Sequence, residues 1–169
     1  GANPGPTIAF RADMDALAIQ ETGDSPYKST VDGVMHACGH DGHTAMLIGA
    51  AKVLSNMRER LRGNIRFIFQ PAEEQHGGAR HMIEDGCLEG VDEIYGIHLW
   101  NYSPVGNVGS TPGPLLAATD SLKVRVKGQG GHGAMPQGTV DAICVSATFI
   151  NALQTIVSRN IDPLQSFVI

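Results

Sequence analysis

Eight consecutive residues, His36-Ala37-Cys38-Gly39-His40-Asp41-Gly42-His43, hold three imidazoles, a thiol and a carboxylate. Thiolate sulfur and imidazole nitrogen together suit zinc and similar borderline cations. Helix capping accounts for only part of the run: Asp41 and Thr44 fit a helix N-terminus, but a cap has no use for three histidines and a cysteine. A thiol at a helix start beside histidine is also the setting of an activated nucleophile, so Cys38 has a second reading as the attacking group of a cysteine amidase. That reading leaves the acidic pair Glu73-Glu74 and His98 without employment, whereas a metal site uses all of them.

Glu73 and Glu74 follow an apolar run directly. Adjacent side chains there point different ways, so one carboxylate can bind metal while the other faces a reacting water. Taken alone, the pair reads as two solvated loop glutamates. Beside a strand-end histidine and the Cys/His cluster, convergence of strand ends on one crevice favours the site. Asp13 and Asp15 end another apolar run and either orient ligands or cap a turn, two readings of similar weight. In Gly128-Gln129-Gly130-Gly131-His132-Gly133 the histidine sits in a glycine-rich turn, and composition alone makes it incidental. His36, His43, His76 and His81 have weaker claims, and His76 and His81 read as polar surface residues. Cys87 and Cys144 read as small buried hydrophobes.

These groups need elements to hold them. Thr7–Ala12 is predicted as a buried strand opening onto a site at its C-terminal end. In Thr44–Leu61, Leu47, Ile48, Ala51, Leu54, Met57 and Leu61 recur at helical spacing, and Gly63 closes the run. Ile65, Phe67 and Phe69, with Ile68 on the other face, predict a strand coverable on both sides, stopped by Pro71. Gly78–Asp85 reads as a short helix and Glu93–Leu99 as a strand ending near His98. This alternation predicts a layered α/β domain. After Pro112-Gly113-Pro114 the pattern changes: Leu122, Val124 and Val126 alternate with Lys123, Arg125 and Lys127, as in a half-solvated strand. A helix over Thr139–Arg159 and a strand at Phe167–Ile169 follow. A domain boundary is therefore placed near residue 114, giving domains 1–114 and 115–169.

The chain has 169 residues and is 42% hydrophobic, enough for one core or one domain and part of another. Its net charge of −5 comes from scattered acids, and no Lys/Arg block is present, which argues against nucleic acid. The most apolar stretches, such as Ile65–Phe69, fall short of the roughly 20 residues of a membrane span, so no membrane partner is expected. Three cysteines without framework spacing point to a reducing, cytoplasmic setting. Both ends look cut, and the sequence reads as a fragment.

Five runs taken in order resemble one family: RADMDAL (11–17), MHACGHDGH (35–43), FQPAEE (69–74), GIHLW (96–100) and GGHGAMP (130–136). They are similar to the amidohydrolase branch of the aminoacylase and carboxypeptidase G metallopeptidases, which includes hippurate hydrolase and the indole-acetyl-amino-acid hydrolases. The resemblance implies a layered helix-sheet-helix catalytic domain followed by the start of an α+β, ferredoxin-like lid and dimerisation domain. It implies two divalent metal ions, zinc or manganese first and cobalt or nickel next, on Cys38, His40, Glu74 and His98. Glu73 becomes the general base, Asp13 and Asp15 support the ligands from behind, and His132 reaches the active site of a homodimer partner. The substrates implied are N-acyl amino acids, cleaved to a carboxylate and a free amino acid. A non-catalytic metal-dependent amino-acid binder is a further alternative, against which the presence of Glu73 counts. Gln137 stands where the family usually has another histidine, and the family's last metal-ligand histidine is expected beyond Ile169.

Overall fold

The computed structural model describes residues 1–75 and 77–169, and His76 lies outside them. The chain forms two compact units, Gly1–Val108 and Gly109–Ile169, so the Pro112-Gly113-Pro114 break falls just inside the second.

The first unit is built on β1 (Asn3–Asp13), which lies between β2 (Arg62–Gln70) and β3 (Glu93–Gly96) in an all-parallel sheet of order β2-β1-β3. Parallel neighbours need a long crossover, and α1 (His40–Asn56) supplies it between β1 and β2. The short helix α2 (Gly78–Glu84) lies between β2 and β3. Among the described residues, the buried apolar side chains are Ala9, Ala12 and Ile68 of the sheet and Leu47 of α1. Ala9 and Ala12 lie on opposite faces of the central strand, and Phe10 packs between Phe67 and Tyr95 along the sheet.

The helix predicted over Thr44–Leu61 starts and ends earlier. Gly39, at φ 83, turns the chain into α1 through the left-handed region, so the helix opens at His40. Apolar periodicity misses this first turn because its residues are polar. At the other end Arg58–Arg60 tightens into a 3-10 turn and Leu61 becomes extended, feeding β2. β3 stops at Gly96, so Ile97 to Leu99 are not strand as predicted: the Leu99 N–H leaves the ladder to donate to His43 Nε2 at 2.9 Å.

The second unit contains one long helix, α3 (Ala142–Asn160), whose N-cap Asp141 accepts from Ile143 N and Cys144 N. The predicted strands at 122–127 and 167–169 are irregular. An alternating segment becomes a strand only where a neighbour takes its backbone groups, and among the described residues of this unit the one such pairing is the bridge Gln129↔Val140. α3, 19 residues long, is long and apolar enough to cross a membrane by length and composition alone. Asn151, Gln154, Thr155 and Ser158 interrupt it, however, and its exposed apolar residues fall on two sides, Ile143 with Ile150 on one and Val145, Phe149 and Ile156 on the other. Cys144 is exposed and its thiol donates to Asp141 Oδ2 at 3.3 Å, while Cys87 is half-buried, so neither is the buried hydrophobe expected.

Candidate metal centre

Parallel strands deliver their C-terminal ends to one edge of a sheet. At that edge Asp13 closes β1 beside its register partner Gln70 of β2, and the segments after β2 and β3 carry Glu73-Glu74 and His98 to the same place. The start of α1 faces them with Cys38, His40 and His43. Asp13, His40 and His43 are each no more than 2% exposed, although all three are polar. Such burial is tolerated only when the groups are paired, and the pairs define where each proton sits.

His40 Nδ1 lies 3.3 Å from Asp15 Oδ1. A carboxylate only accepts, so Nδ1 carries the proton and Nε2 is turned toward Glu74 Oε1 and Asp13 Oδ2, each 3.7 Å away. The other oxygen of Asp15 accepts from the Glu74 backbone N–H at 3.0 Å, so one aspartate orients two candidate ligands. His98 follows the same logic: Nδ1 donates to the Leu99 carbonyl at 2.6 Å, which leaves the Nε2 lone pair facing Cys38 Sγ at 3.5 Å. Both rings therefore present a bare Nε2 to one space, with the other nitrogen fixed by an oxygen behind it, the usual condition of a metal-binding imidazole.

Ligand atoms of Cys38, His40 and His98 lie within 4.8 Å of one another, as do those of His40, Glu73 and Glu74. Glu74 Oε1 is buried with no hydrogen-bond partner. A buried carboxylate oxygen left without a donor is costly, and a cation between it and the His40 Nε2 lone pair removes that cost. Sulfur, nitrogen and oxygen donors converging here thus suit borderline divalent cations, the single lone pair of His40 Nε2 going to one of them. A third grouping, Asp13 with His40 and His43, is equally close. It is not available, because both ring nitrogens of His43 and both oxygens of Asp13 are already engaged: Asp13 Oδ2 accepts from Arg11 at 2.7 Å and Oδ1 from His43 at 2.6 Å.

The sequence pattern of peptidase family M20/M25/M40 matches residues 9–166. The chain belongs to this family. An N-acyl-L-amino acid amidohydrolase of Geobacillus stearothermophilus is 52% identical over all of this chain and 46% of its own length. A Bacillus subtilis structure described as a dinuclear metal-binding peptidase of the M20 family has a TM-score of 0.66 at 55% identity over 68% of this chain and 32% of that one. A structure from methicillin-resistant Staphylococcus aureus has a TM-score of 0.77 at 40% identity over 97% of this chain and 44% of that one. The chain spans less than half the length of these relatives.

In this M20-family chain the carboxylates behind the candidate ligands are held ionised. Burial works against the charge of Asp13, but the His43 hydrogen bond and the Arg11 guanidinium outweigh it and hold its carboxyl below the usual range. Asp15 is likewise lowered, burial being outweighed by the Glu74 and Glu73 backbone N–H groups. Cys38 moves the other way: burial, then the neighbouring Glu74, Glu73 and Asp13, push its thiol up to about 11. A group so protonated at neutral pH is the reverse of an activated nucleophile.

Several expectations change here. Neither Asp41 nor Thr44 caps α1: Gly39 occupies the cap, the Thr44 hydroxyl donates to Asp13 O at 3.0 Å, and Asp41 Oδ1 accepts from the adjacent Gly42 N. His43, ranked low from sequence, is buried within the cluster. Its spacing of three from His40 in a helix was the available signal, since residues so spaced share a face. Arg11, whose Nε also donates to Gln70 Oε1 at 2.8 Å, had no such signal. Nor did Ala72, at φ 53, whose left-handed backbone turns the chain between Pro71 and Glu73. His81 lies exposed on α2, 3.7 Å from Glu84, away from the cluster. In the second unit His132 is exposed and lines an open cavity of about 390 Å³ with the surrounding glycines, Pro136 and Thr139. Its Nδ1 accepts from Ala134 N at 3.1 Å, which puts the proton on Nε2.

Proposed function

We propose that the whole protein is a dinuclear metal-dependent amidohydrolase acting on N-acyl amino acids. The observation that carries this reading is the convergence of the Cys38, His40, Glu73, Glu74 and His98 donor atoms at one sheet edge, with the unpartnered Glu74 Oε1 among them. Cys38, His40, Glu74 and His98 would hold the cations, with Asp13 and Asp15 supporting them. Divalent ions held there supply Lewis acidity, polarising the scissile carbonyl and acidifying a water. Glu73, exposed at the edge of the site, takes the proton of the attacking water on a carboxylate oxygen and returns it to the leaving amine nitrogen. His132, with its proton on Nε2, donates to the oxyanion that develops on the carbonyl oxygen. Water and an N-acyl amino acid become a carboxylate and a free amino acid.

On this reading residues 1–114 are part of the catalytic domain and 115–169 part of a lid and dimerisation domain, with His132 serving the partner's site in a homodimer. The exposed apolar residues of α3, among them Ile143 and Ile150, support an interface there. Zinc or manganese suits the mixed donors best, cobalt or nickel next. Free cysteines at 38, 87 and 144 support a cytoplasmic setting.

The raised Cys38 thiol disfavours the cysteine-nucleophile alternative. The test is metal content and hydrolysis of N-acetyl, benzoyl and indole-acetyl amino acids by the full-length gene product and its Glu73→Gln variant. Expected are about two metals per subunit in both proteins and a loss of roughly 10²- to 10⁴-fold in kcat in the variant. A metal-free protein that still cleaves amides would overturn the reading.

A further inference from the structure

His43 has no place in the reaction as described, yet it is among the most deeply buried polar side chains of the chain. Its ring joins two elements. The Leu99 backbone N–H can only donate, so His43 Nε2 accepts from it at 2.9 Å, and Nδ1 therefore carries the proton that goes to Asp13 Oδ1 at 2.6 Å. Both nitrogens are used and the ring cannot ligate a cation. Leu99 is in turn bound at its other end, because its carbonyl accepts from Nδ1 of His98. The side chain of Leu99 rests on the start of α1, where the helix offers glycine: a Cβ at Gly42 would lie 2.5 Å from Leu99 Cδ1, and one at Gly39 3.3 Å from it. The ring planes of His43 and His98 meet edge to face, with centroids 4.6 Å apart.

We infer that His43 is a positioning residue for the metal ligand His98, acting through the Leu99 backbone: Asp13 fixes the His43 ring, His43 fixes the Leu99 N–H, and the Leu99 carbonyl fixes the His98 ring with Nε2 toward Cys38. The strand ladder ends at Gly96, so beyond it His43 replaces the sheet as the partner of the segment that bears His98. The inference rests on the reading of His98 as a ligand given above.

Two substitutions each keep one of the two bonds. Asn at position 43 places an amide where Nδ1 stood and retains the Asp13 bond but loses Leu99. Gln places its oxygen where Nε2 stood and retains the Leu99 bond but loses Asp13. The bond to the Asp13 carboxylate is the stronger of the two, so a merely structural role predicts the larger loss of thermal stability in His43→Gln and no selective loss of metal affinity in His43→Asn. The experiment is zinc affinity by competition with a chromophoric chelator on the full-length protein, alongside thermal unfolding, for the wild type, His98→Ala, His43→Asn and His43→Gln. Expected is an affinity loss of about 10- to 100-fold in His43→Asn, as for other residues that orient a ligand, with His43→Gln within about threefold of the wild type. Should either variant fail to fold, Gly42→Val displaces the Leu99 side chain without touching His43, and a loss in the same direction is expected. Equal affinities in His43→Asn and His43→Gln, or an unchanged affinity in Gly42→Val where that variant decides, overturn the inference while His98→Ala still shows its loss. If the wild type holds no zinc, or His98→Ala binds it as tightly, the ligand reading itself has failed and the inference falls with it.

Discussion

The two histidine-bearing regions are held by different means. At the sheet edge, His40 and His43 are buried and bonded to residues 25 and 30 positions away, Asp15 and Asp13 respectively. In the second unit His132 is exposed, and its ring is set by one bond to a backbone N–H two residues on. A cation needs several lone pairs aimed at one point from different elements, and only long-range buried bonds hold that many side chains together. A hydrogen-bond donor that acts singly needs its proton on the correct nitrogen, which a local turn can arrange.

That contrast breaks most visibly at Asp13. Replacing it with Ala leaves His43 and Arg11 without their shared acceptor; because Arg11 is partly exposed, the loss belongs at the lower end for a broken buried pair, about 3 kcal/mol by urea unfolding. Metal content is expected to fall with it. His132→Ala tests the other side: kcat is expected to drop by roughly 10²- to 10³-fold, the range for one oxyanion donor, while metal content and unfolding midpoint stay at wild-type values. A His132 variant that loses metal would erase the distinction between the regions.

A smaller effect is expected at Ala72. Glycine relieves about 1–2 kcal/mol of left-handed strain but adds about 0.4–1 kcal/mol of unfolded-chain entropy. Ala72→Gly should therefore stabilise the fold by about 0.5 kcal/mol in denaturant titration. The least effect is expected at Asp141, where the Cys144 backbone N–H, then the Cys144 thiol and the Ile143 N–H, hold the carboxyl below its ordinary 3.8. The sign follows: a lowered carboxyl contributes stability above pH 3.8 that is lost as pH falls through the folded-state value. Far-UV circular dichroism of the second unit's helix should weaken in that acid window, and Asp141→Asn, which caps without titrating, should flatten the dependence.

The sequence by itself determined the alternation of strands and helices in the first unit and the convergence of its acidic and histidine-bearing segments on one edge. Apolar periodicity and chain-breaking Pro71 act locally, and parallel topology brings strand ends together. The run of glycines, cysteine and histidines at 36–43 carried its donor chemistry in the residue types alone. Tertiary structure decided what depends on distant partners. Residues 122–127 alternate like a strand, but alternation records side-chain environment, and a ladder forms only where another backbone lies alongside. His43 and His40 look alike in sequence and differ in what faces their Nε2: a backbone N–H in one case, an unpartnered carboxylate oxygen in the other. That difference makes one ring a strut and leaves the other a bare lone pair, and it is set by where β3 ends and the loop carrying Leu99 comes to rest.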